Sequence, residues 1–207
     1  MLDAIRKEGI YTILNAGDIV GYGPSPDEVI DEVRGAGLVS IRGNHDNAIL
    51  TGEYGWFNEY AAAAAKWTAD AISRPNIEYL GRLGREESLR IGGRVIGLFH
   101  GSPEDPDEYV LEKSRAEELL KSSGYNVVIC GHTHCPMEVR LGEKLFFNPG
   151  AIGQPRDGNP AASFGILDLA SLNVRTIRID YDIPAVQMEM LRKGLPRPLA
   201  TRLSEGF

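Results

Sequence analysis

The sequence predicts an α/β protein in which two packed sheets carry helices on their outer faces. Helix-like and strand-like stretches alternate through the first half of the chain, and pairs of short strands dominate the second half. Such a mixture buries its apolar faces best as packed layers. The apolar runs are also of strand length, which suits sheets inside and helices outside. With 207 residues, one domain is the default, and the chain can bury a sizeable core without staples.

The elements follow in order. Residues 1–8 carry the end of an amphipathic helix, closed by Gly9. Residues 10–16 read as a strand that ends at Gly17-Asp18. Ser25 is placed to cap the next helix, with Pro26 at its first position and Glu28 completing a capping box. That helix turns Val29, Ile30 and Val33 inward and stops near Gly35 or Gly37. Residues 38–41 form a short strand leading to Gly43-Asn44-His45-Asp46. Residues 58–72 are helical around the alanine run 61–65. Residues 88–91 and 94–99 form a hairpin through Gly92-Gly93. Residues 111–123 make a charged helix stopped by Gly124, and residues 126–130 a strand leading to Gly131-His132-Thr133-His134. Further strand pairs are expected at 138–141 with 144–147 and at 163–167 with 174–179. A last helix covers 184–193 and ends at Gly194. One domain therefore spans residues 1–194, and residues 195–207 form a C-terminal tail, expected to be loosely held.

Composition narrows the function classes. The net charge is −7, which argues against a broad phosphate-backbone footprint and against nucleic acid as a partner except as substrate. Bound divalent cations would still allow an anionic substrate. Cys130 and Cys135 are the only cysteines, too few for a disulfide framework, so a reducing compartment and a cytoplasmic location are expected. No stretch is apolar enough for a bilayer span, and no signal peptide is visible. A homo-oligomer stays open.

All four histidines stand in short polar motifs, each directly after a strand-like run. They are His45, His100, His132 and His134, and Gly17-Asp18 follows the run 11–16 in the same manner. Ligands at the carboxyl ends of several strands can converge in space while lying far apart in sequence. Asp, Asn and His in such a set suit hard or borderline divalent ions, which points to hydrolysis. Asp18 alone would be an ordinary turn residue. Asn44 can ligate through its amide oxygen, or it can cap a helix with His45 merely exposed. His45 suits an acid or phosphoryl-oxygen donor, with Asp46 orienting its ring. Two imidazoles two residues apart, His132 and His134, can reach two neighbouring ions.

The order Gly17-Asp18, Gly43-Asn44-His45-Asp46, His100, Gly131-His132-Thr133-His134 resembles the calcineurin-like metallophosphoesterase superfamily. The stretches 17–24 and 148–156 are similar to its small bacterial and archaeal phosphodiesterase branch. The resemblance implies a four-layer αββα sandwich of two mixed sheets flanked by helices. It implies two divalent metal ions (Mn, Fe, Ni or Zn), with Asp18 bridging them, Asn44, His100 and His132 completing one shell, and His134 serving the other. It implies hydrolysis of a phosphomonoester or phosphodiester by a metal-bridging hydroxide, with His45 at the phosphoryl group and Asp46 behind it.

The family pattern opens with a strand ending in D-x-H, and no such motif precedes Gly17. A mis-assigned start, a trimmed sequence or a shortened protein would each account for that. The expectation for the short form is an intact second-metal site, an incomplete first-metal site and activity lowered by orders of magnitude. A missing inner strand would leave unpaired sheet edges, which strand exchange with another copy could cover. A catalytically impaired scaffold that binds metal or anions is the competing reading. Outside the motifs, Arg156 either clamps a substrate phosphate or pairs with an acid such as Asp157. Tyr22, Tyr54 and Trp56 either stack on a substrate ring or cover a core edge.

Overall fold

The computed structural model describes residues 1–207 and is built around a five-stranded mixed sheet. Its strands are β3 (Glu86–Ile91), β4 (Arg94–Phe99), β5 (Val127–Cys130), β6 (Met137–Leu141) and β7 (Lys144–Asn148), in the order β3-β4-β5-β7-β6. The edge pairs β3/β4 and β6/β7 are antiparallel, and β5 runs parallel to both β4 and β7. The β3–β4 turn is Gly92-Gly93, with φ of 58° and 77° at the two residues. Positive φ at both central positions is what a two-residue hairpin requires, and glycine adopts it without a Cβ clash.

Alternation along the central strands sorts the core into two faces. Phe99, Val128, Cys130, Val139 and Phe146 turn towards α6 (Lys113–Ser122), where Ala116, Leu119 and Leu120 meet them. Ile96, Leu98, Val127, Ile129, Leu145 and Phe147 turn the other way. Leu14, Ile41, Leu167 and Val174 cover that second face. They belong to, or adjoin, β1 (Leu14–Asn15) with β2 (Val39–Ser40), and β8 (Ala162–Asp168) with β9 (Asn173–Ile179).

The expected second mixed sheet is therefore two separate ladders. β1 pairs with β2 in parallel, β8 pairs with β9 antiparallel, and no hydrogen-bonded strand joins them. The strand expected over 10–16 forms ladder bonds only at Leu14–Asn15.

Helices α2 (Pro26–Gly35), α3 (Asn44–Thr51) and α5 (Arg74–Arg82) share a core of Ile30, Val33, Ile49 and Leu80 with Ile19 and Val20. Ser25 is the N-cap residue of α2 but makes no side-chain cap bond, so the expected capping box does not form. Val29 is exposed instead of inward; Pro26, Ile30 and Val33 define the buried face, and Val29 lies at its margin. α3 begins at Asn44, within the motif that also allowed a helix cap. α5, which follows Ser73 with Pro75 in its first turn, was not expected.

Helices α4 (Glu59–Ala71) and α7 (Ile183–Arg192) are neighbours of the C-terminal residues. Asn58 caps α4 by accepting from the amides of Tyr60 and Ala61. Residues 195–207 are not a loose tail. They form α8 (Arg197–Thr201) and a 3₁₀ turn (Arg202–Ser204), and Leu195, Leu199 and Leu203 are buried against Met190 and Ala64. Burying three leucines is worth roughly 1.5–3 kcal/mol each, ample to hold a short segment. Their spacing of four residues was the helical signal. The short α1 (Leu2–Lys7) matches the expectation for the amino-terminal segment. No helix is long and apolar enough to cross a membrane.

Candidate metal centre

Five chain segments end at one place. His100 follows β4, His132 follows β5, and Asn148 closes β7. These three strands are mutually parallel, so their carboxyl ends lie on one edge. β1 and β2 are parallel as well, and Asp18 and Asn44 follow them. The sequence thus delivers a carboxylate, two amides and two imidazoles from strand ends, the usual location of sites in α/β sheets.

Close backbone approach makes that convergence feasible. A Cβ at Gly17 would stand 2.6 Å from the Gly43 amide nitrogen and 2.9 Å from His100 Nδ1. A Cβ at Gly43 would overlap the Asp18 carboxylate and its amide. Both motif glycines are therefore contact requirements between two loops. Asp18, His132 and His134 have φ of 55°, 61° and 60°. That left-handed conformation is uncommon outside glycine, although Asp and His tolerate it better than most.

The ligand atoms of Asp18, His100 and His132 all lie within 4.8 Å of one another, a spacing that can hold a metal ion. His100 Nδ1 donates to the Ala16 carbonyl over 2.8 Å, which leaves Nε2 facing the site. There Nε2 stands 3.0 Å from Asn44 Oδ1 and 3.4 Å from Asp18 Oδ2. The Asn44 amide oxygen accordingly joins the other three. Asp18 Oδ1 is fixed by the His45 amide at 2.9 Å. His132 is buried and neither of its ring nitrogens has a partner. A buried imidazole without hydrogen bonds is costly unless something binds it. These residues fit a divalent cation.

Protonation supports the same fit. Burial, then the neighbouring His100, lowers His132 to about 3, and burial, then Arg156, lowers His134 to about 4. Both therefore keep a free lone pair at neutral pH. Burial opposes protonation of His100, but the Asp18 charge prevails and raises it to about 9. Burial would raise the Asp18 carboxyl, yet His100, His45 and His134 together hold it well below the usual range. A cation at this point would replace the His100 proton as the counter-charge to Asp18.

His134 lies outside the three-residue group. Its Nδ1 donates to the Gln154 carbonyl at 2.7 Å, and it acts on Asp18 electrostatically. Holding one imidazole nitrogen on a backbone carbonyl fixes the tautomer and frees the other nitrogen.

The motif does open a helix, with Asp46 accepting from the N-cap Gly43 amide, but His45 in its first turn is buried and not exposed. Its ring stacks on Phe57 at 4.4 Å and tilts against Tyr22 at 4.3 Å. The expected contact from Asp46 to that ring is absent: His45 Nδ1 has no partner. Asp46 accepts instead from the amides of Gly43 (2.9 Å), Val20 (3.1 Å) and Ile19 (3.3 Å). It ties the first turn of α3 to the loop after Asp18, a positioning role. Burial and the Asp18 charge push Asp46 up to about 7, while those amides pull the other way.

Other residues escaped the sequence reading. Asn148 donates to the Gly131 carbonyl (2.7 Å) and to Thr133 Oγ1 (3.0 Å), and so holds the double-histidine turn. Its place at the end of a parallel strand was the available signal. Tyr109 packs its ring 3.8 Å from His132 with no motif to announce it. Arg156 and Trp56 line a cavity beside Asn44 and His45, together with Tyr22, whereas Tyr54 instead lies under Lys66. Asp157 pairs with Arg178, not with Arg156. Cys130 is buried, and Cys135 Sγ reaches only the Arg156 carbonyl.

A model of the calcineurin-like phosphoesterase superfamily domain matches residues 1–172. An uncharacterised protein of Methanocaldococcus jannaschii is 31% identical over all of this chain and 91% of its own length. The phosphodiesterase YfcE of Escherichia coli K12 is 47% identical over 84% of this chain and 81% of its own. A metallophosphoesterase from Sphaerobacter thermophilus, known as a crystal structure, is 32% identical with a TM-score of 0.83, covering 100% of this chain and 93% of that one.

Proposed function

The chain belongs to the calcineurin-like phosphoesterase superfamily, and from that premise we propose that it hydrolyses small phosphomonoesters or phosphodiesters with divalent metal at the strand-end cluster. The observation that carries this reading is the pair of orphaned His132 nitrogens beside Asp18 and His100. Asp18, Asn44, His100 and His132 would hold one ion, and His134 would serve a second. Mn, Fe, Ni and Zn all suit these ligands. Bound there, the ions supply an activated water and neutralise charge on the phosphoryl oxygens.

The chain's own residues do the rest. His45 faces the cavity at the substrate side and contacts the phosphoryl or leaving oxygen. Phe57 and Tyr22 fix its ring plane. Asp46 holds the Gly43 turn against residues 19 and 20, so that His45 and Asp18 keep their spacing. Arg156, with no carboxylate to neutralise it, binds a substrate oxygen.

Hydrolysis of bis-p-nitrophenyl phosphate and p-nitrophenyl phosphate, with each metal added after chelation, tests the reading. Turnover should require metal and disappear in Asp18→Asn. Metal-independent turnover, or none with any of the four metals, overturns it.

A further inference from the structure

Beyond the ligand cluster, the adjoining cavity of about 430 Å³ has two unlike walls. One is aromatic: Trp56 is almost wholly exposed at its mouth, and Phe57 lies behind it on the His45 ring. The other carries two arginines, Arg156 and Arg202.

Those arginines are not neutralised. Arg202 Nη2 donates to Gln154 Oε1 at 2.8 Å, its guanidinium lies 4.5 Å over the Tyr22 ring, and its Nε is buried without a partner. Arg156 Nη2 donates to Tyr22 Oη at 3.3 Å. Neither forms an ion pair, and the adjacent Asp157 is committed to Arg178. Burial, and repulsion from Arg156, lower the Arg202 pKa against the pull of Tyr22. Two unpaired guanidinium groups converge in a chain of net charge −7. An oxyanion between them would relieve the repulsion and satisfy the open donors. His45 and Asn44 line the same cavity as Arg156 and Arg202, so this second anion position neighbours the phosphoryl position.

We propose that the substrate is a nucleotide with two linked phosphates: the terminal phosphate at the metal cluster, the next on Arg156 and Arg202, and the base against Trp56. This rests on the phosphoesterase reading and adds the substrate class. For a nucleoside 5′-diphosphate, the oxygen of water bonds to the terminal phosphorus and the P–O–P bond to that phosphorus breaks. The bridging oxygen leaves with the nucleoside monophosphate and gains a proton, balancing one lost by water. The products are inorganic phosphate and the monophosphate, with no redox partner.

Calorimetric binding to the full chain with Mn²⁺ provides the test, using adenosine, AMP and α,β-methylene-ADP, whose P–C–P link resists cleavage. The diphosphate analogue should bind about tenfold or more tighter than AMP, the range of an added charge-assisted contact. Arg202→Gln should bring the two within about twofold, and Arg202→Lys should restore part of the difference. Trp56→Ala should weaken all three ligands alike, by about tenfold or less. Arg156→Gln supplies a second charge deletion should Arg202→Gln melt early. Equal affinity for AMP and the analogue, or a preference that survives both glutamine variants, overturns the proposal. Loss of p-nitrophenyl ester hydrolysis would instead strike the phosphoesterase reading, so the two failures are distinguishable.

Discussion

The ligand cluster and the cavity wall beside it are built by opposite means. Around the cluster, backbone groups hold the side chains. The His45 amide fixes Asp18, the Ala16 carbonyl fixes His100, the Gln154 carbonyl fixes His134, and three amides fix Asp46. The two arginines of the wall are held through side chains, Arg156 by Tyr22 and Arg202 by Gln154 and the Tyr22 ring. Backbone ties set position to within a few tenths of an ångström, as a metal requires. Side-chain walls tolerate exchange, as substrate choice requires. On the proposed reading, chemistry and selectivity sit on separable parts of one site.

His132→Ala attacks the cluster most directly. It should abolish metal-dependent stabilisation, read as the melting-temperature gain on adding Mn²⁺, and lower hydrolysis by about a thousandfold or more. Retention of that thermal gain would show that the cluster is not where metal binds.

Gly43→Ala changes one methyl group but drives a Cβ into the Asp18 carboxylate. A loss of about 3 kcal/mol in urea unfolding is expected, with weakened metal binding. A silent variant would mean the two loops can separate, contrary to their backbone-tied description.

His45→Gln should spare metal affinity, since His45 is not among the clustered ligands. A fall in kcat of about a hundredfold, in the range of a lost acid or phosphoryl donor, is expected. Loss of metal together with turnover would move His45 into the cluster.

The smallest effect is expected away from both regions. Asp27 accepts from the Ser73 amide and hydroxyl and from Asn76, joining α2 to the start of α5. Burial would raise its pKa, but these donors lower it. A pKa depressed by folding stabilises above the ordinary carboxylate range and loses that contribution as pH falls through the folded value. Asp27→Ala should therefore cost about 1–3 kcal/mol at pH 7 and progressively less in acid, with metal affinity unchanged. A constant difference down to strongly acid pH would remove the charge from the explanation.

Particular residues mark where reading from sequence sufficed. Gly92-Gly93 and Gly194 announced a hairpin and a helix stop because glycine signals backbone geometry locally. Asp18, His100 and His132 announced a clustered set because each followed a strand, and parallel strand ends meet on one edge. Asp46 went wrong because its type and position suit two partners equally well, a ring or a row of amides. Which one it takes depends on residues 19 and 20, more than twenty positions away. Arg202 carried no motif, and its role depends on a Gln and a Tyr from two other loops. The tail was misjudged because prolines outweighed a repeat of leucines every fourth residue.

By itself, then, the amino-acid order determined the α/β class, the position of most elements, the family resemblance and the chemical types of the candidate metal ligands, since each of these is written in local patterns or short motifs. The tertiary structure decided that the outer strands form two separate ladders, that Asp46 serves the backbone, that residues 195–207 pack, and that two unneutralised arginines face one cavity. Those are outcomes of long-range packing and electrostatics, where a residue's partner is chosen by the fold and not by its neighbours along the chain.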